Sequence, residues 1–461
     1  MDNTYREIDE AAECDVRLFW RLISRQKNRK TNQISEILHH NRKCKSPEDI
    51  SNAFADFYAD VYTPTENSKF DNDFKVHVTE FVDRTLESCA TNNGLLPGGE
   101  ITLYEIETVV RNLKLRKAPG YDKLQNEHVR YSELGCKLYV AFLDSSRAFD
   151  TVWHSGLIYK LYQLGINSKA LQVISDCYSD ITSAVYVNEH VSVPFKVRQG
   201  VRQGGVLSTI LYLVYINDLL NELELVGTAN ISNIRTSNPS FADDVVCIGT
   251  SPQRLQNMLN CAYDYSLKWR FEFNPLKSVI LGYRTELDLV FNLGDKSVNI
   301  STETKHLGIL RTVDLSPSTD IQHSCRKGRN AYFAIAGTGS CLLNPLTVCG
   351  LYNKIVIPAV LYGCELWNGI KPKDIRCLET FQHFIVKHIQ GFPKRTRSDM
   401  CESMTNLERL PILVEKRKLM FLYKLCEMKA QSLTKQIFIY RLFQYFGDTS
   451  RKQTWIHPRC N

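Results

Sequence analysis

Two strongly apolar runs in this chain end in carboxylates, and no other feature narrows its possible folds as much. Residues 137–143, KLYVAFL, run directly into Asp144. Ser240, Phe241 and Ala242 lead into Asp243 and Asp244 before Val245 and Val246 resume the apolar pattern. A buried strand normally stops short of an acid, because desolvating a carboxylate is costly. Adjacent Asp243 and Asp244 in a tight turn raise each other's pKa unless a cation stands between them. A third carboxylate on a neighbouring strand would complete an oxygen-rich site suited to Mg²⁺. Taken alone, an Asp-Asp pair most often just makes a turn, so its surroundings must decide.

Those surroundings are globular and of both structural kinds. The chain has 461 residues, 43% hydrophobic and 23% charged, enough for several domains with proper cores. Its formal charge of +7 is modest, but basic residues cluster at Arg21, Arg25, Lys27, Arg29 and Lys30 and again at Arg42, Lys43 and Lys45. Such runs are usually solvated faces and become candidate phosphate contacts only with other support. Fifteen cysteines are scattered singly with no Cys-x-x-Cys pair, which argues against a zinc ribbon and a secreted disulfide scaffold. The N-terminus is acidic and polar, unlike a signal peptide. The longest apolar stretch, Val206 to Ile216, is too short to span a bilayer, so no membrane partner is expected. An intracellular location follows, nucleus or cytoplasm undetermined, and the oligomeric state is left open.

Periodicity predicts helix over about 11–62, a polar linker from Glu66 to Asp73, and a break at Asn92 to Gly99. The centre alternates strands and helices: a hairpin over Ser183 to Val197, a long apolar helix from Leu207 to Leu225, two strands pinched by acids over Phe241 to Gly249, an amphipathic helix from Leu255 to Trp269, and a hairpin turning at Gly294-Asp295. Beyond about residue 316 nearly everything has helical period.

The motifs then resemble, in order, those of non-LTR (LINE-type) retrotransposon reverse transcriptases. Lys117-Ala118-Pro119-Gly120-Tyr121-Asp122 resembles the signature before the fingers. Leu143-Asp144 through Arg147-Ala148-Phe149-Asp150 and Val152 resembles motif A, and Arg198 to Ser208 motif B. Phe241-Ala242-Asp243-Asp244 resembles motif C, Trp269 with Asn274 to Lys277 and Gly282 motif D, and Lys305-His306-Leu307-Gly308 motif E. Pro358 to Trp367, with Tyr362-Gly363 and Glu365, resembles the region after the palm. The resemblance implies an α+β fold: a right-hand polymerase palm with an antiparallel sheet and helices on one face, reduced fingers, and a helical thumb and C-terminal region. The corresponding boundaries are a basic helical N-terminal region with its linker (1–100), a truncated fingers remnant (101–136), the palm with motifs A to E (137–315), and the thumb and C-terminal region (316–461).

The same resemblance implies the chemistry. Asp144, Asp243 and Asp244 would bind two Mg²⁺ ions, with Mn²⁺ a possible substitute, for transfer of deoxynucleoside triphosphates onto a DNA primer over an RNA template. Phe149 would exclude a 2′-hydroxyl. Gln203 and Gly204 would lie against the nascent base pair, glycine allowing close backbone approach. Lys277 would protonate pyrophosphate as a general acid. His306, Leu307 and Gly308 would form a primer grip, and Lys117 with Arg25, Lys27, Arg29 and Lys30 would contact template phosphates.

The pattern departs from the family in one place. Arg130 to Lys137 runs almost directly into the motif A strand, where the family has a long fingers segment whose basic residues hold the triphosphate. Thr209 also stands where the family usually has proline. The chain therefore reads as an internally shortened piece of a larger polyprotein, without an endonuclease ahead or a Cys/His knuckle behind. The metal triad is intact and the nucleotide clamp is not, so impaired polymerase activity is expected. The alternatives are a non-catalytic nucleic-acid-binding relic, or a helical interaction protein marked by an exposed apolar stripe on its C-terminal helices.

Overall fold

The computed structural model describes residues 34–91 and 137–447, with short breaks at 66, 206, 228, 232–233, 237, 286–288 and 337–343, and six isolated positions before residue 23. Arg25, Lys27, Arg29, Lys30, Lys117, the 92–99 break and the 101–136 fingers remnant all lie outside the described residues. Contacts divide the chain into two compact units, residues 33–302 and residues 1–32 with 303–461.

The first unit opens with a hairpin, β1 (Ile37–His39) and β2 (Arg42–Cys44), where the sequence predicts helix. His40 and Asn41 both take positive φ (44° and 62°), the backbone of a two-residue hairpin turn whose twist matches its strands. Helix α1 (Pro47–Val61) follows, capped by Ser46, whose side chain accepts from the Asp49 amide. The predicted linker is docked: Phe70 is buried, with the Arg270 guanidinium 4.9 Å from its ring centre. Helix α2 (Asn72–Thr91) begins at its end.

Strand β3 (Leu138–Leu143) is buried at all six positions. After it come α3 (His154–Gln163), α4 (Ser168–Asp176) and the predicted hairpin, built as β5–β6 (Tyr186–Val187, His190–Val191) nested inside β4–β7 (Thr182–Ser183, Phe195–Lys196). Helix α5 (Ser208–Val226) is the predicted apolar helix. A small ribbon, β8–β9 (Ala229–Ile231, Ile234–Thr236), leads to β10 (Ser240–Phe241), β11 (Asp244–Gly249), α6 (Pro252–Lys268), β12 (Val279–Tyr283), β13 (Phe291–Leu293) and β14 (Lys296–Ser301).

These strands form one six-stranded sheet ordered β10-β11-β3-β12-β14-β13. It is mixed, which corrects the expectation of an antiparallel sheet: β12 pairs in parallel with β14. The β13–β14 hairpin, turning at Gly294-Asp295, enters with its second strand beside β12, and that fixes the direction. Helices α3, α5 and α6 share a core with Tyr139, Ala141, Leu143, Val245, Cys247 and Ile280 from one face. The other face is not left to solvent: Val140, Val246 and Leu281 are buried too.

One cation sits inside this core. Lys160 of α3 is 2% exposed, donates to the Tyr215 carbonyl and the Tyr265 hydroxyl, lies 3.3 Å from Asp218, and stands 3.7 Å from the centre of the Trp269 ring. Burial drives its pKa down to about 7, against the opposing pull of Asp218 and Glu222. Because the folded pKa lies below the unfolded one, the unfolded chain binds more protons between pH 7 and about 10.4, and stability rises with pH across that window. Lys160→Met removes a charge that burial penalises and leaves Asp218 partly solvated, so its gain in stability is expected to be larger at pH 6.5 than at pH 9. Chemical denaturation at both pH values measures it.

In the second unit, β15 (Glu303–His306) and β16 (Ile309–Thr312) form a hairpin. Helices α7 (Pro317–Ala336), α8 (Pro345–Leu351), α9 (Ile357–Val360), α10 (Pro372–Ile389), α11 (Ser398–Thr405), α12 (Leu410–Glu427) and α13 (Leu433–Gly447) follow. Phe381, Ile385, Val360, Trp367 and Val414 lie in their common core. The motif E hairpin thus belongs with the helices, whereas the sequence places the boundary near residue 315. No described helix is long and apolar enough to cross a membrane.

Candidate active site

Strand register brings two of the three acids to adjacent strand ends. Val245 of β11 pairs with Leu143 of β3, and Phe241 of β10 with Asp244. Extending the β11–β3 register by one residue sets Asp244 across from Asp144, while Asp243 occupies the β10–β11 turn. Ala242 takes φ +53° there, a left-handed turn that an alanine adopts only at some cost. Asp244 is pushed up to about 6, first by burial and then by the negative charges of Asp243 and Asp144.

The end of β3 is held by the segment before β12. The Asp144 amide donates to Ser278 Oγ (3.1 Å), the Asn274 amide donates to the Asp144 carbonyl (2.7 Å), and the Ser278 hydroxyl donates back to the Asn274 carbonyl (2.8 Å). The same turn places Lys277 Nζ 4.0 Å from Asp144 Oδ2. Ser278 is the residue that the sequence analysis missed here; its only signal was its place one residue after Lys277.

Phe149 stacks on Tyr212 of α5, with ring centres 4.7 Å apart and planes 27° from parallel. Burial first, then Asp243 and Asp244, drives the Tyr212 phenol well above its ordinary pKa. Phe149 is therefore one ring removed from the acids. Gln203 Nε2 donates to Asp150 Oδ1 (2.8 Å), and Tyr62 at the end of α1 donates to the same oxygen (3.2 Å). Burial and Asp150 push the Tyr62 phenol up to about 12. Asp150 and Tyr62 were not singled out as site residues, although Asp150 stands in the quoted motif A. The contact between them spans 88 residues and leaves no local pattern.

Gly204 has φ +79°, and a Cβ there would meet nothing within 4 Å. Backbone conformation is what calls for glycine at this position. Close packing falls instead at Gly200, where a Cβ would stand 2.7 Å from the Asp150 carbonyl oxygen. In the second unit His306 is buried, and burial followed by Arg311 lowers its pKa to about 4. A neutral, buried imidazole offers no charge to a phosphate; Leu307 and exposed Gly308 form the accessible tip.

In kind, three carboxylates suit a hard divalent cation. In spacing they are looser: among the described residues, no group of three or more His, Cys, Asp or Glu side chains is positioned to hold a metal ion.

The sheet thus carries acids at two adjacent strand ends, and the charges of Asp243 and Asp244 reach Tyr212 of the stacked aromatic pair. The family model for reverse transcriptase (RNA-dependent DNA polymerase) matches residues 100–309, which contain all three acids. The chain is similar to LINE-type retrotransposon polymerases. It is 25% identical over 276 residues to the RNA-directed DNA polymerase from mobile element jockey of Drosophila funebris, covering 57% of this chain and 29% of that protein. It is 26% identical over 264 residues to the probable RNA-directed DNA polymerase from transposon X-element of Drosophila melanogaster, covering 54% and 28%. The chain thus spans less than a third of the length of these relatives. Among solved structures, telomerase from Candida tropicalis in complex with a fragment of telomeric RNA aligns at 12% identity and a TM-score of 0.34, covering 72% of this chain and 56% of that one. A score at that level carries no structural argument.

Proposed function

We propose that this chain is an RNA-directed DNA polymerase of a non-LTR retrotransposon, extending a DNA primer on an RNA template with deoxynucleoside triphosphates. The observation that supports this reading is the register of β3 against β11, which sets Asp144 across from Asp244, the neighbour of Asp243. Asp144, Asp243 and Asp244 would hold two Mg²⁺ ions, or Mn²⁺, which when bound activate a 3′-hydroxyl and neutralise the leaving pyrophosphate. Lys277, 4.0 Å from Asp144, would give a proton to that leaving group. Gln203, whose side chain is fixed with that of Tyr62 on Asp150, would lie against the nascent base pair. The shortened fingers sequence supports reduced activity. The test is primer extension on poly(rA)·oligo(dT) with Mg²⁺ and with Mn²⁺; no incorporation with either ion would overturn the reading.

Phe149 acts here by steric exclusion, its ring held in place by Tyr212. Phe149→Ala is expected to relax discrimination against ribonucleotides by roughly 10–100-fold, the range a missing apolar contact yields in a pocket. Competing incorporation of rNTP and dNTP measures it, and an unchanged ratio would remove the sugar-gate role.

A second reading is favoured by one observation. Helix α12 exposes Ile412 (48%), Leu419 (65%) and Tyr423 (63%) at i, i+7 and i+11, an apolar stripe on one helical face. Such a stripe fits an interaction module.

A further inference from the structure

The segment from Pro358 to Trp367 carries a family motif, yet none of its residues has a role in the proposed chemistry. In the second unit it lies against the turn between β15 and β16. Tyr362 Oη donates to the Leu307 carbonyl at 3.1 Å. Its ring runs beside Gly308, where a Cβ would come within 3.3 Å of Tyr362 Cε1. At Gly363 a Cβ would stand 2.7 Å from Ile309 Cδ1, and φ is +74°; only glycine lets β16 pack this closely.

Strand β16 is also held one residue further on. Asp320 of α7, 7% exposed, accepts from the Leu310 amide on Oδ1 at 3.1 Å and from Trp367 Nε1 on Oδ2 at 2.7 Å. A buried carboxylate is retained at a cost unless its oxygens are satisfied, and here one fixes the hairpin strand while the other ties it to Trp367. The turn they hold is itself strained: Leu307 takes φ +49°, a conformation a leucine keeps only when its surroundings enforce it. Its carbonyl and the following strand amide are gripped, while Gly308 at the tip stays exposed.

We infer that Tyr362, Asp320 and Trp367 are positioning residues that set the Leu307–Gly308 tip against a primer strand. What the tip touches rests on the polymerase reading; the mount itself rests on these contacts alone. Tyr362→Phe removes one hydroxyl and keeps the ring beside Gly308, so it separates the grip from the packing.

The test compares the full chain with Tyr362→Phe by hydrogen exchange over residues 303–312, by affinity for a recessed DNA primer on RNA, and by the KM for dTTP in extension. Exchange at the turn is expected to rise about tenfold, the worth of one hydrogen bond, with the helices of the unit unchanged. Primer–template affinity should fall by a similar factor while the KM for dTTP stays constant. Unchanged exchange at the turn would overturn the inference, and so would a loosened turn with unaltered primer–template affinity. If Tyr362→Phe raises exchange throughout the unit, Asp320→Asn decides by the same measurements, with Leu310 as the reporting amide. A wild-type chain that binds primer–template without extending it would count against the polymerase reading, while exchange and binding still decide the mount.

Discussion

Asp243→Asn is expected to lower templated primer extension by about three decades while leaving RNA affinity equal or slightly higher. The proposed site has three carboxylates, and burial first, then the charges of Asp243 and Asp144, hold Asp244 above its ordinary pKa. Removing one lowers the negative potential that would attract a divalent cation. Loss of several kcal/mol of charge stabilisation in a transition state corresponds to roughly a thousandfold in rate. Binding responds in the opposite sense, because a nucleic-acid backbone is itself anionic and one repulsive charge has gone. The substitution is nearly isosteric, and β10, β11 and the turn between them keep their register. Extension that persists at the wild-type rate would mean a contaminating polymerase or a misassigned site.

The second large effect concerns the shortened segment. Inserting the fingers segment of a full-length relative between Tyr131 and Lys137 is expected to raise extension about ten-thousandfold. Holding a triphosphate in line needs cationic donors opposite the acids. Each preorganised donor contributes about 3 kcal/mol to a developing charge, or about a hundredfold. Two donors therefore account for four decades if their effects add. Lys114, Arg116 and Lys117 precede the shortened segment and are the substitutes this chain could offer. Comparing extension rates of the natural and grafted chains checks the idea, and robust activity in the ungrafted chain would sink it.

The strands and their acids were legible because burial leaves a mark on sequence. An all-apolar run such as 138–143 cannot alternate, so it announces a strand covered on both faces. The acids at its end and in the Phe241 to Val245 turn stand out because apolar strands rarely stop that way. The hairpin at Gly294-Asp295 and the helix from Ser208 also follow local rules of turn chemistry and length. The hairpin at Ile37–Cys44 escaped because its turn uses His40 and Asn41 rather than the usual Asn-Gly.

The amino-acid order by itself determined that carboxylates would terminate two buried strands, and which motif each belongs to. It could not determine that β12 runs parallel to β14, because strand direction depends on how an entire hairpin docks. It could not reveal that Lys160 is a core residue, since a lysine on a helix ordinarily reads as solvated. Nor could it couple Tyr62 to Asp150, Phe149 to Tyr212, or Tyr362 to Leu307, pairs that stand between 55 and 88 residues apart. Periodicity records which face of an element is buried; which partner buries it is settled only when the elements close on one another.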